Sequence, residues 1–412
     1  MKEKKLMKTG VMCLSVFVVF SLFLTTIRAR ATSSKMLTIG ATWPMNTALG
    51  LETKKCFDVI IPMFNDRGGI TIKGQQYKIK MITYDDKYKA DEGRSAAERL
   101  VYRDKVKYIL QLASAPTAAT LPVTDPEKVI VLSGCTTEKI VDPNYKYCAR
   151  TATSFTAAAA MWENLKKAYT GIKTMVTLAP DEEGGRDRTE NDIACAKKYG
   201  ISVLDKLFYP PEAMDFSPMA TKIAKLKPEL VTYPRTGSGT QFGLILKALY
   251  ESGWRGLHMS PTVPELSELL TVTTRESMEG LVHKVWPTEI DSPPPAAAQL
   301  KNAYRDKYGS WSSVGVTWVN GFYCLMAAMR KADSLDSGDI IAALDGLKYD
   351  CPAGRAIMIK RPDKKNLRAV DFVVEQILTQ WKEGKNLVVG TLSPEDGIKA
   401  LETIYGYPGG WR

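Results

Sequence analysis

The sequence predicts an α/β protein built from two doubly wound lobes with parallel-type sheets, joined by a multi-strand hinge. Strand-like and helix-like segments alternate along the chain in two successive series, one before Arg150 and one after it. Several short strand-like runs, such as Tyr108–Leu112 and Val129–Ser133, are mainly apolar and lack the polar/apolar alternation of a strand with one wet face. Such runs are typical of strands that a parallel sheet buries on both faces. With 412 residues, the chain is long enough for two separate cores.

The first series opens with the short apolar strand Leu37–Ala41. A helix is predicted next, at Leu51–Arg67. Its apolar residues recur on one stripe, and the pair Gly68-Gly69 ends the pattern. A strand is then predicted at Tyr77–Tyr84 and a helix at Lys89–Arg103. The two apolar runs named above complete the series.

The second series begins after Arg150 and again alternates helices with strands. Its helices are predicted at Thr156–Tyr169, Thr189–Tyr199, Pro218–Lys225 and Thr240–Ser252. Its strands are predicted at Lys173–Leu178, Ile201–Phe208, Leu230–Tyr233, Leu257–Met259 and Leu281–Trp286. Two such series imply two lobes, with space for a ligand where the carboxyl edges of the two sheets face each other.

A proline-rich linker, Ser292-Pro293-Pro294-Pro295, separates the second series from the rest of the chain. Beyond it we predict helices and then strands, at Ala296–Tyr308, Val314–Ala332, Asp339–Leu347, Ala356–Ile359 and Ala369–Leu378. The two long helices do not belong obviously to the second series. Return crossings between the lobes would explain them, and several crossing strands make a hinge.

Residues 1–31 have the pattern of a cleaved secretory signal peptide. Lysines precede the apolar run Val11–Leu24, and Ala29-Arg30-Ala31 follows it. The run is short for a membrane-spanning helix, and Cys13 stands at its start rather than after it, unlike a lipid-attachment cysteine. We therefore expect a soluble protein released into the periplasm.

Several function classes are disfavoured. The basic residues are dispersed despite a formal net charge of +11, so nucleic-acid binding is not supported. Only two histidines are present, and no close Cys/His cluster or cofactor motif occurs, so we expect no metal and no cofactor. The chain has no Gly-x-Ser-x-Gly elbow and no Walker loop, and we expect no enzymatic activity. An exported α/β hydrolase stays as an alternative that would need a nucleophile within reach of a histidine.

Small polar residues follow the two apolar runs of the first series. Ser114 comes after one run, and Cys135, Thr136 and Thr137 come after the other. Ser114 is well placed to cap a helix that Pro116 helps to start, so backbone N–H groups, a helix dipole and hydroxyl groups would converge there. This combination suits a carboxylate or a similar small anion. The alternative is an ordinary helix cap and turn without a ligand.

Sequence motifs of one known family occur in order along nearly the whole mature chain. They are IGATWPMNTALG, FNDRGGITIKGQQYKIKMITYDD, QLASAPT, LSGCTT, YCARTATS, DFSPMATKIAKLKPELV and LDGLKYDCPAGRAIMI. With these, the sequence resembles the periplasmic solute-binding proteins of the branched-chain amino acid type, which serve ABC importers. The resemblance implies a bilobed type I binding protein that encloses its ligand by hinge closure and docks on ABC permease subunits in the inner membrane. A monomer is the default for such a carrier.

The resemblance also implies a division of the chain. Residues 36–150 and 288–350 would form the first lobe, residues 151–287 and 351–400 the second, and residues 401–412 a C-terminal tail. In the family, the first lobe holds the ligand carboxylate with groups that match Ser114, Cys135 and Thr137 here. The loop Trp43–Leu49 would supply a cover.

The second lobe departs from the family pattern at two positions. Glu183 stands where an amino-acid binder usually has an aromatic residue, and Thr262 falls at or near the position of the acidic residue that reads the α-ammonium group. A buried ammonium without an anionic partner is costly. Either Glu183 has taken over that role, or the ligand has no α-ammonium group. Glu183 is otherwise a solvated loop carboxylate.

Two further candidates come from the ends of second-lobe strands. Arg235 and Thr236 follow Leu230–Tyr233 and would present a second anion-binding group, unless Arg235 is an ordinary surface residue. Trp286 would stack on an apolar ligand body or serve as a core or hinge residue. The expected function is capture of a small carboxylate-bearing solute, an amino acid or an aliphatic or aromatic acid. A ligand sensor that docks on a membrane receptor is the alternative.

Overall fold

The computed structural model describes residues 34–152, 155–236, 238–261 and 266–412. The predicted signal peptide, residues 1–31, lies outside the described residues. The first series of elements contains strands β1 (Lys35–Trp43), β2 (Ile70–Ile72), β3 (Gln75–Asp85), β4 (Tyr108–Gln111), β5 (Ile130–Ser133) and β6 (Cys148–Arg150), with helices α1 (Ala48–Asp66), α2 (Ala90–Glu98) and α3 (Ser114–Thr124).

The second series contains helices α4 (Phe155–Ala168), α5 (Glu183–Lys198), α6 (Ser217–Leu226), α7 (Gly239–Glu251) and α8 (Leu266–Leu269), with strands β7 (Thr174–Pro180), β8 (Ser202–Tyr209), β9 (Leu230–Thr232), β10 (Leu257–Ser260) and β11 (Leu281–Val285). The remaining elements are α9 (Pro295–Tyr308), α10 (Asn320–Ala332), α11 (Ser337–Ala343), β12 (Lys348–Cys351), β13 (Gly354–Arg361), β14 (Asn366–Val374), β15 (Gln376–Lys382), β16 (Lys385–Leu392) and α12 (Pro394–Tyr405).

These strands form one large sheet in each lobe. The first-lobe sheet has the order β2-β3-β1-β4-β5-β6, and the second-lobe sheet has the order β16-β15-β11-β10-β9-β7-β8. Pairing is parallel from β3 to β6 and from β11 to β8, whereas β2, β15 and β16 add antiparallel edges. The predicted fold class, two α/β lobes with parallel-type sheets, is confirmed.

A third, antiparallel sheet of β12, β13 and β14 lies between the two cores. Side chains alternate across a strand, and β13 shows the consequence. Ala356 and Met358 pack into the first-lobe core, whereas Ile357 and Ile359 pack into the second-lobe core. This sheet touches both lobes, and the chain passes from one lobe to the other after β6, after β11 and after β14.

The structure corrects several predicted elements. The helix predicted over Val314–Ala332 begins only at Asn320, and the preceding residues form turns. Within these turns, Gly315 lies so close to α1 that a Cβ atom would stand 2.9 Å from the Glu52 carbonyl oxygen. The strand predicted over Ala369–Leu378 is two strands, because β14 pairs with β13 and β15 pairs with β11. The sequence reading missed β2, β6, β12 and β16, which are short or lie at sheet edges.

The last residues of the chain pack onto the second lobe. Residues 401–405 belong to α12, and Trp411 is fully buried in the second-lobe core. The predicted tail of residues 401–412 is therefore part of that lobe in the structure. Among the described residues, no helix combines the length and the apolar character needed to cross a bilayer.

Candidate functional site

A cavity of about 790 Å³, here called the cleft, lies between the two lobes. Its size is within the usual range for small-molecule sites. The first lobe contributes Thr136, Glu138, Ser313, Thr317 and Trp318; the second lobe contributes Asp187, Arg188, Asp192, Arg235 and Pro261; and β11 with the residue after it contributes His283, Lys284 and Trp286. Thr136, Arg235, Pro261 and others of these residues follow the carboxyl ends of parallel strands, which is where α/β proteins place their ligands.

Hydroxyl groups fix the first-lobe loop that follows β5. Thr117 and Ser133 share a hydrogen bond of 2.9 Å between their hydroxyl oxygens, and the Ser133 hydroxyl also accepts the backbone N–H of Cys135 at 3.2 Å. The Ser114 hydroxyl accepts the backbone N–H of Thr136 at 3.3 Å. Ser114 therefore ties the loop after β4 to the loop after β5, and Thr136 reaches the cleft from this fixed loop.

A group of four charged residues, here called the hinge network, holds the same loop against the third sheet. It consists of Glu138, Arg150, Arg361 and Asp371. Asp371 is fully buried and accepts hydrogen bonds from Arg150 Nε at 3.1 Å and from Arg361 Nη1 at 3.0 Å. Glu138 accepts from Arg150 Nη1 at 2.9 Å and from Arg361 Nη2 at 2.6 Å.

Arg150 connects this network to the cleft. Its Nη1 donates to the carbonyl oxygens of Thr136 and Thr137, both at 3.2 Å. Burial alone would raise the pKa of Glu138, but the charges of Arg150 and Arg361 outweigh it and lower that pKa. Glu138 is thus held as a carboxylate that is already neutralised by two arginines, and it contributes little net negative charge to the cleft.

Trp318 is the largest first-lobe side chain in the lining. Its ring rests on Gly134, where a Cβ atom would stand 2.2 Å from Trp318 Cε3. The indole Nε1 is buried and has no hydrogen-bond partner among the described residues. A buried donor without an acceptor costs free energy, so the place of this ring is maintained at some cost to stability.

The second-lobe wall is dominated by Arg188. Helix α5 starts directly after β7, and Gly185 permits the close approach, since a Cβ atom there would stand 2.1 Å from the Pro180 carbonyl oxygen. This geometry brings Arg188, in the second turn of α5, to the cleft. Arg188 forms no ion pair and no hydrogen bond with another described residue. Burial and then the nearby charge of Arg235 lower its pKa.

Two acidic residues stand near Arg188 without pairing with it. Glu182 forms an ion pair with Arg235 instead. Asp192, one turn along α5, is buried, and its Oδ1 accepts the Trp162 indole N–H at 3.0 Å. Burial raises the pKa of Asp192 to about 6. Arg188 is therefore the cation of this wall whose charge the described residues compensate least.

Lys284 and Trp286 lie two residues apart at the end of β11 and both line the cleft. The Lys284 ammonium stands 3.5 Å from the centre of the Trp286 ring, which is a cation–π contact. Burial lowers the pKa of Lys284 to about 7. This pair presents an aromatic face and a titratable cation beside the hinge.

Both histidines are engaged with non-nucleophilic partners. His258 Nδ1 and the Tyr233 hydroxyl lie 2.6 Å apart, and burial lowers the pKa of His258 to about 3. His283 lines the cleft, and its Nε2 lies 2.9 Å from Asn386 Oδ1. Over the described ranges, neither histidine is hydrogen-bonded to a serine or a cysteine. This arrangement gives no support to the hydrolase alternative.

The structure brings three of the predicted site residues to the cleft, namely Thr136, Arg235 and Trp286. Ser114, the first residue of α3, and Cys135 and Thr137, in the loop after β5, are not in the lining. The predicted capping by Ser114 is wrong: Ala113 precedes α3 and no side chain caps the helix, because the Ser114 hydroxyl is used by Thr136.

The other predicted residues lie elsewhere or outside the described part. Trp43 is buried in the first-lobe core, stacked on Phe57 with ring centres 5.1 Å apart, and Leu49 packs against the same core. Neither is in the lining, and Thr236 is not in it either. The backbone of Glu183 begins α5, but its side chain is not among those described, and Thr262 lies outside the described residues.

Sequence reasoning missed Arg188, Lys284 and Trp318. For Arg188 the available signal was PDEEGGRDR, a glycine pair and basic residues directly after a predicted parallel strand. Lys284 is a lone charge within an otherwise apolar strand, LVHKVW, and such a charge is worth noting as a site candidate. Trp318 gave no comparable signal, because its place depends on contact with the distant Gly134.

Comparisons with known proteins agree with this architecture. A search of curated protein sequences finds no significant match. Among solved structures, the chain is similar to a solute-binding protein of an ABC transporter from Rhodopseudomonas palustris BisB5 in complex with 3,4-dihydroxybenzoic acid, at 20% identity and a TM-score of 0.65, over 87% of this chain and 98% of that one. It is also similar to a leucine-binding protein from Thermotoga maritima, at 19% identity and a TM-score of 0.64, over 87% and 99% of the two chains.

An ABC-type branched-chain amino acid transporter structure from Rhodopseudomonas palustris CGA009 is similar at 19% identity and a TM-score of 0.70, over 87% of this chain and 97% of that one. At these identities the structural likeness establishes the fold. The family model described as "periplasmic binding protein" matches residues 37–376, which is most of the chain. As the sequence resemblance predicted, the chain belongs to the periplasmic binding protein family.

Proposed function

We propose that this protein is the solute-binding component of an ABC importer, exported to the periplasm after removal of residues 1–31. It captures a small carboxylate-bearing solute in the cleft, closes its lobes around that solute by hinge motion, and delivers it to permease subunits in the inner membrane. The protein performs no chemistry on the solute.

The observation that carries the proposal is the composition of the cleft. The lining joins a first-lobe loop fixed by hydroxyl and arginine contacts to a second-lobe wall that holds Arg188 and Arg235. Guanidinium groups are the side chains best suited to bind carboxylates. Trp318, Trp286 and Met161 add apolar surface for the body of the solute.

Hinge closure is supported by the connections between the lobes. The chain passes between them in three places, and the third sheet contributes side chains to both cores. A few crossing segments beside a cleft are the arrangement in which domains close around a ligand.

The solved relatives support an acid as the solute but not a particular one. One is a complex with 3,4-dihydroxybenzoic acid and another is a leucine-binding protein. Both ligands carry a carboxylate, whereas only leucine carries an α-ammonium group. An amino acid and an aliphatic or aromatic acid therefore both remain within the proposed class.

A thermal-shift screen of the mature chain, refolded from denaturant to remove any bound solute, tests this proposal. A solute that binds only the folded state stabilises it by mass action, by about 2.7 kcal/mol when the free solute is at a hundredfold excess over Kd. This stabilisation raises the melting temperature. We expect a saturable shift with at least one amino, aliphatic or aromatic acid. Absence of any shift across all three classes would contradict the proposal.

A further inference from the structure

The second-lobe side of the cleft contains a partly buried positive charge, Arg188, that pairs with no other residue in the described part of the chain. A buried charge without an oppositely charged partner strongly destabilises a folded protein. An arginine retained under such conditions is a candidate for a functional group.

Other basic groups share the cavity with Arg188. Arg235 lies close enough to oppose the charge of Arg188, and Lys284 adds a third basic group to the same cavity. The two described acidic groups whose charges act on Arg188 are engaged elsewhere. Glu182 pairs with Arg235, and Asp192 is hydrogen-bonded to Trp162. Asp187, also in the lining, is exposed to water.

We infer that the second lobe binds a second anionic group of the solute through Arg188, assisted by Arg235, so that the solute is a dianion such as a dicarboxylate. This inference deepens the proposed function and rests on it. One carboxylate faces the fixed loop and Trp318 in the first lobe, and the other faces Arg188 in the second. The two ends of one solute would then hold the lobes together in the closed form.

The inference also specifies which solutes the cleft rejects. A zwitterionic amino acid would place its ammonium group in a wall that already contains Arg188, Arg235 and Lys284. Like charges in a shielded site repel strongly. Among the described side chains of the wall, Asp192 is the one buried carboxylate, so it is the residue on which amino-acid binding would depend if the inference were wrong.

Isothermal titration of the refolded mature chain with matched solutes provides the test. Glutarate, valerate and norvaline form one set, and terephthalate, benzoate and phenylalanine form another; within a set mainly the charged groups differ. A hydrogen bond to a charged group corresponds to about 10- to 100-fold in affinity. We therefore expect at least one dicarboxylate to bind 10- to 100-fold more tightly than its monocarboxylate partner.

Arg188→Gln should remove that preference, so that dicarboxylate and monocarboxylate bind alike. Arg94→Gln is the matched control, since Arg94 is an exposed arginine on α2, paired with Glu98, and its loss should leave the preference unchanged. The melting temperature of the solute-free Arg188→Gln variant should equal or exceed that of the unmodified chain, because an uncompensated buried charge has been removed. That measurement separates a lost binding group from a misfolded protein.

Each other outcome has a definite meaning. Equal affinity for the members of a set, or a preference unaffected by Arg188→Gln, would overturn the inference and leave the proposed function intact. Tight binding of norvaline or phenylalanine that is lost in Asp192→Asn would also overturn it, in favour of an amino-acid binder. Binding of no solute in either set, together with a negative thermal-shift screen, would contradict both.

Discussion

Replacing Asp371 with asparagine tests whether the hinge network fixes the first-lobe wall of the cleft. Asp371 is fully buried and accepts hydrogen bonds from Arg150, Arg361 and the backbone N–H of Phe372. The substitution preserves the size of the side chain but leaves two guanidinium groups, exposed by 0% and 2%, without their shared carboxylate. Removing one partner of a buried ion pair costs about 3–5 kcal/mol.

We expect Asp371→Asn to cost about 3 kcal/mol, the lower end of that range, because Glu138 continues to pair with both arginines. Urea unfolding of the solute-free protein at pH 7 measures this loss. The matched control is Asp363→Asn, because Asp363 is 24% exposed and, among the residues that the structure describes, pairs with Arg361 alone. Its loss should cost no more than about 1.5 kcal/mol.

The same substitution should weaken solute binding, because Arg150 also holds the carbonyl oxygens of Thr136 and Thr137. A loss of stability below about 1 kcal/mol, or one no larger than that of Asp363→Asn, would refute the role given to the network. Full stability loss with unchanged solute affinity would show that the network stabilises the hinge without positioning the loop.

Three further predictions follow from single contacts. Gly134→Ala should lower stability by about 1–3 kcal/mol and weaken solute binding, because its Cβ atom would stand 2.2 Å from Trp318. Urea unfolding measures the stability and calorimetry the affinity. An unchanged affinity would contradict the place given to Trp318. Burial lowers the pKa of His258 to about 3, from an ordinary 6.5. Below pH 6.5 the unfolded chain therefore binds a proton that the folded chain does not, and stability should fall as the pH drops. His258→Gln should make that fall shallower in unfolding curves at pH 4, 5 and 7. Burial lowers the pKa of Lys284 to about 7, from an ordinary 10.5. Between pH 7 and pH 10 the unfolded chain holds the proton that the folded chain loses, so stability should rise with pH. The same rise in Lys284→Met would show that another group causes it.

The fold was largely predictable because its parallel strands are short apolar runs that end in polar loops. The runs at β4 and β5 are examples, and both strands are buried along their whole length. The third sheet was not predictable in this way. Its strand β14 and the following β15 are separated by one residue, Glu375, and only pairing with different partners divides them.

The candidate site was predictable only where a residue directly follows a strand. Thr136, Arg235 and Trp286 satisfy that rule, and all three line the cleft. Arg188 lies on a helix, and its importance arises from the acidic groups nearby that pair with other residues. Such pairing depends on the tertiary structure, so the sequence alone does not reveal it.

Small-angle X-ray scattering of the solute-free and solute-saturated protein tests the central claim most directly, with a solute first identified by the thermal-shift screen. If the lobes close around a solute held at both ends, the radius of gyration should fall on saturation, and Arg188→Gln should reduce that fall for a dicarboxylate. A radius of gyration that stays constant while calorimetry shows the solute bound would contradict capture by hinge closure.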